Sequence, residues 1–422
     1  MKKKPYYGWW IAIACLLVTF SNGGLFWTYS VFFTPLSLEF GWSRGGLSGA
    51  TSAFLLSYAL GAILLGRLAD RTGPRPVLLL SALLLGAAYL GCSRIQSLPA
   101  LFFYYSLIGL GTSVTLTLPA ATIQRWFLKW RGLMMGVTFA GSGVGSLIFN
   151  PLANHLITQY GWRTAYVILG VLFGSLIALG ASMMIHSPEK KNLHPYGWEP
   201  GNRKELNGRT GSNESGLATG QALRTEAFRS LVALRILTFA PMSFFITHLV
   251  PYGIDRGITA AAAARAMGLM GASAIPGRII MGATGDRFGW MKGIAVANSM
   301  AAAAILWLIF TGETWMLYLF VMAFGFSNGG SMTLQSGAVS HFFGYVSLTE
   351  LLGLTMAMGL AAGAVVPVLG GLAFDWMGSY VPVLVFASAL SMAGGMYAAY
   401  IDRRLHNRPG GYAGPGAGGP VG

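Results

Sequence analysis

The chain has 422 residues, 54% of them hydrophobic and only 10% charged, with a mean hydropathy of +0.59. Soluble domains carry about a quarter charged residues, so this balance excludes an ordinary soluble domain and indicates a membrane protein. The net charge of +15 would suit a nucleic-acid partner, but its distribution along the chain excludes that reading and favours a lipid bilayer.

Apolar stretches long enough to cross a bilayer recur throughout. They lie near 8–36, 46–66, 75–93, 99–123, 132–157, 163–185, 230–253, 261–284, 290–311, 315–340, 350–374 and 380–401. The opening Met-Lys-Lys-Lys looks like the start of a secretory leader. The apolar run behind it continues to about Phe40 without a cleavage pattern, so it reads as the first span. One long polar interruption, about 186–229, is rich in Gly, Asn, Glu, Lys and Arg and reads as a flexible connector. The expected fold is therefore an all-α membrane protein of twelve transmembrane helices in two pseudo-symmetric six-helix bundles. Its parts are an N-terminal bundle over 1–185, a cytoplasmic connector over 186–229, a C-terminal bundle over 230–403 and a disordered Gly/Pro-rich tail over 404–422.

With both termini in the cytoplasm, 22 of the 28 Lys and Arg fall on the cytoplasmic side, among them eight from Lys190 to Arg235. Five, Arg44, Arg94, Arg163, Arg256 and Arg265, fall on the other side. Excess cytoplasmic Lys and Arg is the positive-inside pattern, which orients the chain as a multi-pass plasma-membrane protein. The short loops suit a bacterial inner membrane. Cys15 and Cys92 both lie in apolar runs and read as packing residues, not as a disulfide or a metal site. HExxH, CxxC, GxSxG and GxxxxGK[ST] patterns are absent, so neither an enzyme nor a cofactor is expected.

Corresponding places in the two halves carry related turns. After the second span comes Gly66-Arg67-Leu68-Ala69-Asp70-Arg71-Thr72-Gly73-Pro74-Arg75, and after the eighth Gly285-Asp286-Arg287-Phe288-Gly289. Parallel repeats around a central connector describe a transporter whose substrate sits between the bundles near the midplane. Asp70, Arg71, Arg75, Asp286 and Arg287 then suit a gate that pairs in one state and separates in another, or else a charged turn that only sets topology.

The eighth span also carries Arg278, about two helical turns inside its charged end. An arginine at that depth is costly unless it faces protein or water. Two readings stand, an anion-binding group in a cavity and a cation that snorkels to the interface. His248 and Tyr252, four apart in the seventh span, share a helix face. His248 either carries a proton or is a hydrogen-bonded structural histidine, and Asp255 is the fallback proton carrier or a solvated loop carboxylate. Asn22, Phe26 and Tyr29 recur at helical spacing in the first span and line a cavity, unless Asn22-Gly23-Gly24 is a flexible point. Thr112, Thr115, Ser327, Asn328 and Ser331 either pack helices or touch substrate.

These turns resemble the signature loop of the major facilitator superfamily. The stretch Trp126-Phe-Leu-Lys129-Trp-Arg131-Gly-Leu-Met-Met-Gly136 onward to Gly145 resembles the fifth-span signature of its monocarboxylate transporter branch. Tyr7-Gly8-Trp9-Trp10 is similar to that branch's first-span motif without its acidic residue, and Pro367 through Asp375, Gly378 and Tyr380 continue the likeness. The resemblance implies proton-linked carriage of a small monocarboxylate such as lactate or pyruvate, with Arg278 gripping the carboxylate. Ala274 and Trp27 stand where animal members have an acidic residue and a lysine given coupling roles, so the proton path differs here. The alternative is an anion exchanger of oxalate/formate type. Such exchangers pair the arginine with an eleventh-span lysine, whereas 351–374 holds no basic residue. One cation favours a monoanion.

Overall fold

The computed structural model describes residues 6–198, 217, 219–343 and 348–406. Most of the polar connector and the tail from 407 lie outside the described residues, as do the side chains of Asp70 and Asp286. All regular structure among the described residues is helical.

Twelve long helices follow one another among the described residues. In the first half, α1 covers Gly8–Phe40, α2 Arg44–Thr72, α3 Pro74–Cys92 and α4 Leu98–Trp126. A single helical stretch, Arg131–Met183, contains the next two, because Gly161 at φ +78° and ψ 157° breaks it into α5 (131–160) and α6 (162–183). In the second half, α7 covers Glu226–Asp255, α8 Ala260–Phe288, α9 Trp290–Ile309 and α10 Thr314–Phe343. Then α11 covers Glu350–Met377 and α12 Val381–His406. The last helix therefore extends through 404–406, where the sequence suggested tail. Among the described residues ten helical stretches, the α5–α6 run taken as one, are long and apolar enough to cross a membrane, and α10 is not among them. α10 has the length, and its buried run Ser327-Asn328-Gly329-Gly330-Ser331 lowers its hydropathy.

The repeat is written in the backbone. Three pairs of glycines at positive φ end corresponding spans: Gly41 and Gly257, Gly73 and Gly289, Gly161 and Gly378. Each pair is 216 or 217 residues apart. Only glycine adopts such φ values without strain, so each supplies a sharp turn between antiparallel helices. The helix starts match too. The Ser43 side chain accepts from the Gly46 amide at the head of α2, and Thr259 accepts from the Ala262 amide at the head of α8.

Six spans per half bring the start of α1, the end of α6, the start of α7 and the end of α12 to one face, here called the terminal face. The bundles meet through α5 with α8, α2 with α11, and α1 with α7. Hydrogen bonds between them, among the described residues, lie at mid-depth or toward the opposite, far face. Ser30 Oγ donates to the Thr247 carbonyl (2.9 Å), Thr247 Oγ1 donates to Thr51 Oγ1 (2.8 Å), and Ser146 Oγ reaches the Met267 carbonyl (3.5 Å). The bundles are thus bonded together from mid-depth to the far side, and the terminal side lacks such bonds among the described residues.

Candidate functional site

Arg278 lies ten residues before the end of α8, roughly 15 Å along the helix from the terminal face. It is half-buried, and its guanidinium carbon stands 6.0 Å from the centroid of the Phe139 ring on α5. It therefore faces the other bundle. Among the described residues it makes no hydrogen bond or ion pair. A guanidinium offers a planar two-pronged donor that matches a carboxylate, and this one has its donors free.

The other sequence candidates divide into three groups. In the N-terminal bundle, Asn22 Nδ2 donates to Thr115 Oγ1 (2.9 Å), and Ser142 Oγ donates to Asn22 Oδ1 (3.0 Å), which joins α1, α4 and α5. Gly23 and Gly145 let α1 and α5 touch backbone to backbone, since a Cβ at either would overlap the facing chain. The Asn22-Gly23-Gly24 stretch is thus a close helix crossing, and the regular helix of α1 is interrupted later, at Thr28. Phe26 packs edge-on against Trp27, Phe54 and Tyr58, and Tyr29 donates to the Leu47 carbonyl (2.5 Å). In the C-terminal bundle, Tyr252 donates to the Leu308 carbonyl, Asn328 is buried, and Ser331 Oγ reaches Asn298 Oδ1 (3.4 Å).

The third group forms a cluster at the far face that the sequence did not assemble. Arg44, at the start of α2, makes a two-pronged ion pair with Asp255 at the end of α7, with N–O distances of 2.6 and 2.7 Å. Its guanidinium also donates to Tyr380 (2.9 Å) and lies 3.8 Å from the centre of the Phe374 ring. The Asp375 carboxylate, from the C-terminal bundle, accepts from the backbone amides of Arg44 (3.0 Å) and Gly45 (2.8 Å). It caps a helix of the opposite bundle, where a negative charge favours the exposed amides and the helix dipole. Inward from this pair, Tyr380 Oη meets His248 Nδ1 (2.8 Å), while His248 Nε2 meets Ser48 Oγ (3.1 Å) and the Pro367 carbonyl (2.9 Å). His248 is fully buried. A continuous chain of hydrogen bonds thus runs from Asp255 to His248 across the bundle boundary. Asp255, which reads as a loop carboxylate from sequence, is half of an inter-bundle ion pair.

The turns proposed as gates lie on the other side. Arg71, Arg75 and Arg287 are exposed at the terminal face, and their Asp70 and Asp286 partners lie outside the described side chains. Arg235 differs from its sequence placement. Counted there with the cytoplasmic cations, it sits inside α7 with 3% of its surface exposed. Arg44 and Asp375 were missed because nothing in a single sequence reports that residues 331 apart meet. The usable signal was an acid at the very end of an apolar span, next to Gly378.

Comparison with known proteins agrees with this architecture. The profile described as Major Facilitator Superfamily matches residues 15–349. The chain is similar to monocarboxylate transporter 13 of Rattus norvegicus, 25% identical over 401 residues, covering 92% of this chain and 87% of that protein. It is also similar to the oxalate:formate antiporter of Oxalobacter formigenes, 26% identical over 343 residues and covering 80% and 78%. Among solved structures, a D-xylose–proton symporter superposes with a TM-score of 0.73 at 14% identity, covering 93% of this chain and 97% of that one. An inward-facing bacterial homologue of the lysosomal transporter Spinster superposes with a TM-score of 0.68 at 16% identity, covering 94% and 95%.

Proposed function

The chain belongs to the Major Facilitator Superfamily and is a multi-pass membrane transporter; we propose that it carries a small monocarboxylate, of the lactate or pyruvate type, together with a proton by alternating access. The observation that carries this reading is Arg278, an intramembrane guanidinium facing the other bundle without a partner among the described residues. Its substrate would supply the missing carboxylate. Binding an anion would neutralise Arg278, lower the cost of closing the cavity around it, and so favour rocking of one bundle against the other. The named monocarboxylate transporter relatives support the substrate class.

The proton would be carried by His248, with Asp255 as the fallback carrier; Arg44, which stays protonated, links the two without relaying a proton. In this reading the terminal face is cytoplasmic, as the distribution of Lys and Arg favours, and the membrane is a bacterial inner membrane. Arg44–Asp255 is the outer gate, shut in this state, and the Asp70/Arg71/Arg75 and Asp286/Arg287 turns are the inner one. The oxalate:formate antiporter relative supports a second reading, counter-exchange of anions.

Uptake of radiolabelled lactate into proteoliposomes tests the proposal. Wild-type accumulation should follow an inward proton gradient, Arg278→Ala should abolish it while remaining folded, and His248→Ala should uncouple it from the gradient. Full uptake by Arg278→Ala would sink the carboxylate role. Uptake indifferent to the gradient but requiring internal anion would establish the exchanger instead.

A further inference from the structure

The far ends of α5 and α8 leave a cavity of about 490 Å³ between the two bundles, at a boundary distinct from that of α2 with α11. Its walls include His155, Thr158 and Gln159 from α5 and Ala260, Ala261 and Arg265 from α8. Arg265 is exposed there; its Nε donates to Tyr318 Oη (3.2 Å), and it has no ion pair among the described residues. No Asp or Glu lines the cavity. The transport reading uses none of these residues.

The internal repeat supplies a comparison for this place. Arg44 follows Gly41 by three residues, as Ala260 follows Gly257, and Asp375 precedes Gly378 by three, as Thr158 precedes Gly161. The boundary of α2 with α11 and that of α8 with α5 are therefore counterparts. At the first, the Asp375 carboxylate answers both leading amides of α2, Oδ1 accepting from Arg44 and Oδ2 from Gly45. At the second, the Thr259 side chain accepts from the Ala262 amide just as Ser43 accepts from Gly46. The likeness stops there. Thr158 stands in the place of the acid and turns its hydroxyl back to the Asn154 carbonyl (2.8 Å). The leading amides of α8, those of Ala260 and Ala261, have no hydrogen bond among the described residues. One half holds a carboxylate where the other holds a cavity beside a cation, and free first-turn amides with the helix dipole favour an anion.

The lining also indicates which anion. A carboxylate spends its two oxygens on the two amides, as Asp375 does, whereas Arg265 and the His155 imidazole offer donors to further oxygens, so a tetrahedral oxyanion answers more of this lining. Deeper in α5, Leu147 and Ile148 are 39% and 47% exposed and share a helix face with Asn154 and His155. That strip gives an acyl chain a surface beneath a headgroup seated in the cavity. We propose that the α5–α8 cavity is a binding site for a phosphate-class oxyanion, free or as the headgroup of a phospholipid, in the place that Asp375 fills in the other half. The bound oxyanion caps α8, neutralises Arg265 and joins the two bundles at the far face.

Histidine footprinting tests this at the site itself. Diethyl pyrocarbonate acylates accessible imidazoles, and peptide mass spectrometry reads each histidine separately. His155 reports the cavity, and His341, exposed at the terminal face, is the internal control. The full chain is purified free of phospholipid in a maltoside detergent. At constant ionic strength, chloride is then replaced by inorganic phosphate, or dihexanoyl phosphatidylglycerol is added. In the wild type at least one of the two should slow His155 acylation saturably and leave His341 unchanged. The arm that responds at the lower concentration names the source. The same ligand should raise Tm by mass action. Arg265→Gln should lose both effects, and Arg278→Gln should keep both, which separates this site from the transported anion's. If Arg265→Gln does not fold, Thr158→Asp decides the matter, because its built-in carboxylate should raise Tm in chloride and abolish the ligand response. Indifference of both His155 and Tm to both ligands would overturn the site. So would protection shared equally by His341, a response that survives Arg265→Gln or Thr158→Asp, or one lost in Arg278→Gln.

Discussion

The two ends of the bundle boundary treat their arginines in opposite ways. At the far face, Arg44 is bound on every side, by Asp255, Tyr380, the Phe374 ring and the capping carboxylate of Asp375 at its own amide. Deeper, and toward the terminal face, Arg278 has an aromatic ring at 6.0 Å and no ionic partner among the described residues. Both are cations on interface helices, but their surroundings differ. A cation paired with an acid and a hydroxyl of the opposite bundle holds the bundles together. A cation whose donors are unanswered is available to a ligand that comes and goes. Under the proposed alternating access these would be the two charges needed, one to shut a side and one to require an anion.

The largest way to break the contrast is to remove the free cation. Arg278→Ala should cut lactate uptake by about 100-fold or more, the loss of a two-pronged charged hydrogen bond, and Arg278→Lys should restore part of it as a point charge without the fork. Next comes a wedge in the closed side. A Cβ at Gly371 would stand 2.6 Å from the Arg44 carbonyl oxygen. Gly371→Val should therefore cost the sealed state about 2 kcal/mol of overpacking, roughly 30-fold in population. Double electron–electron resonance between spin labels on α2 and α11 should then show the far face opening.

Removing the ion pair itself acts in the same direction with less force. The two side chains are 20% and 33% exposed, so Arg44→Ala should shift the same distance distribution by only about 1 kcal/mol. The Arg44→Asp, Asp255→Arg exchange should recover part of the closed population. The smallest effect belongs to the exposed Glu226–Arg404 pair at the terminal face, whose side chains are 49% and 44% exposed. Glu226→Gln should leave uptake unchanged and move stability by less than about 0.5 kcal/mol.

Much of the architecture was legible in the sequence because it is stored locally. Span length follows from bilayer thickness, and the glycines that end spans recur at a fixed offset, so Gly73 and Gly289 mark the repeat before any coordinates do. Arg278 stood out for the same reason: a charge in an apolar helix is visible in one line of text. Arg235 was misread because it is separated from the polar connector by only a few residues, and burial decides what proximity in sequence cannot. The far-face cluster was illegible because its members come from α2, α7, α11 and the start of α12, and their meeting is a property of the fold in three dimensions. Even Asp255, which the sequence offered, has its partner 211 residues away, on a helix of the other bundle.

The most direct test of the whole account is equilibrium binding of radiolabelled lactate to purified Arg278→Ala and Arg44→Ala in nanodiscs, beside the wild type. The account predicts that binding disappears in Arg278→Ala and persists in Arg44→Ala, because only the unpaired arginine meets the substrate. Wild-type binding in Arg278→Ala, or its loss in Arg44→Ala alone, would contradict it.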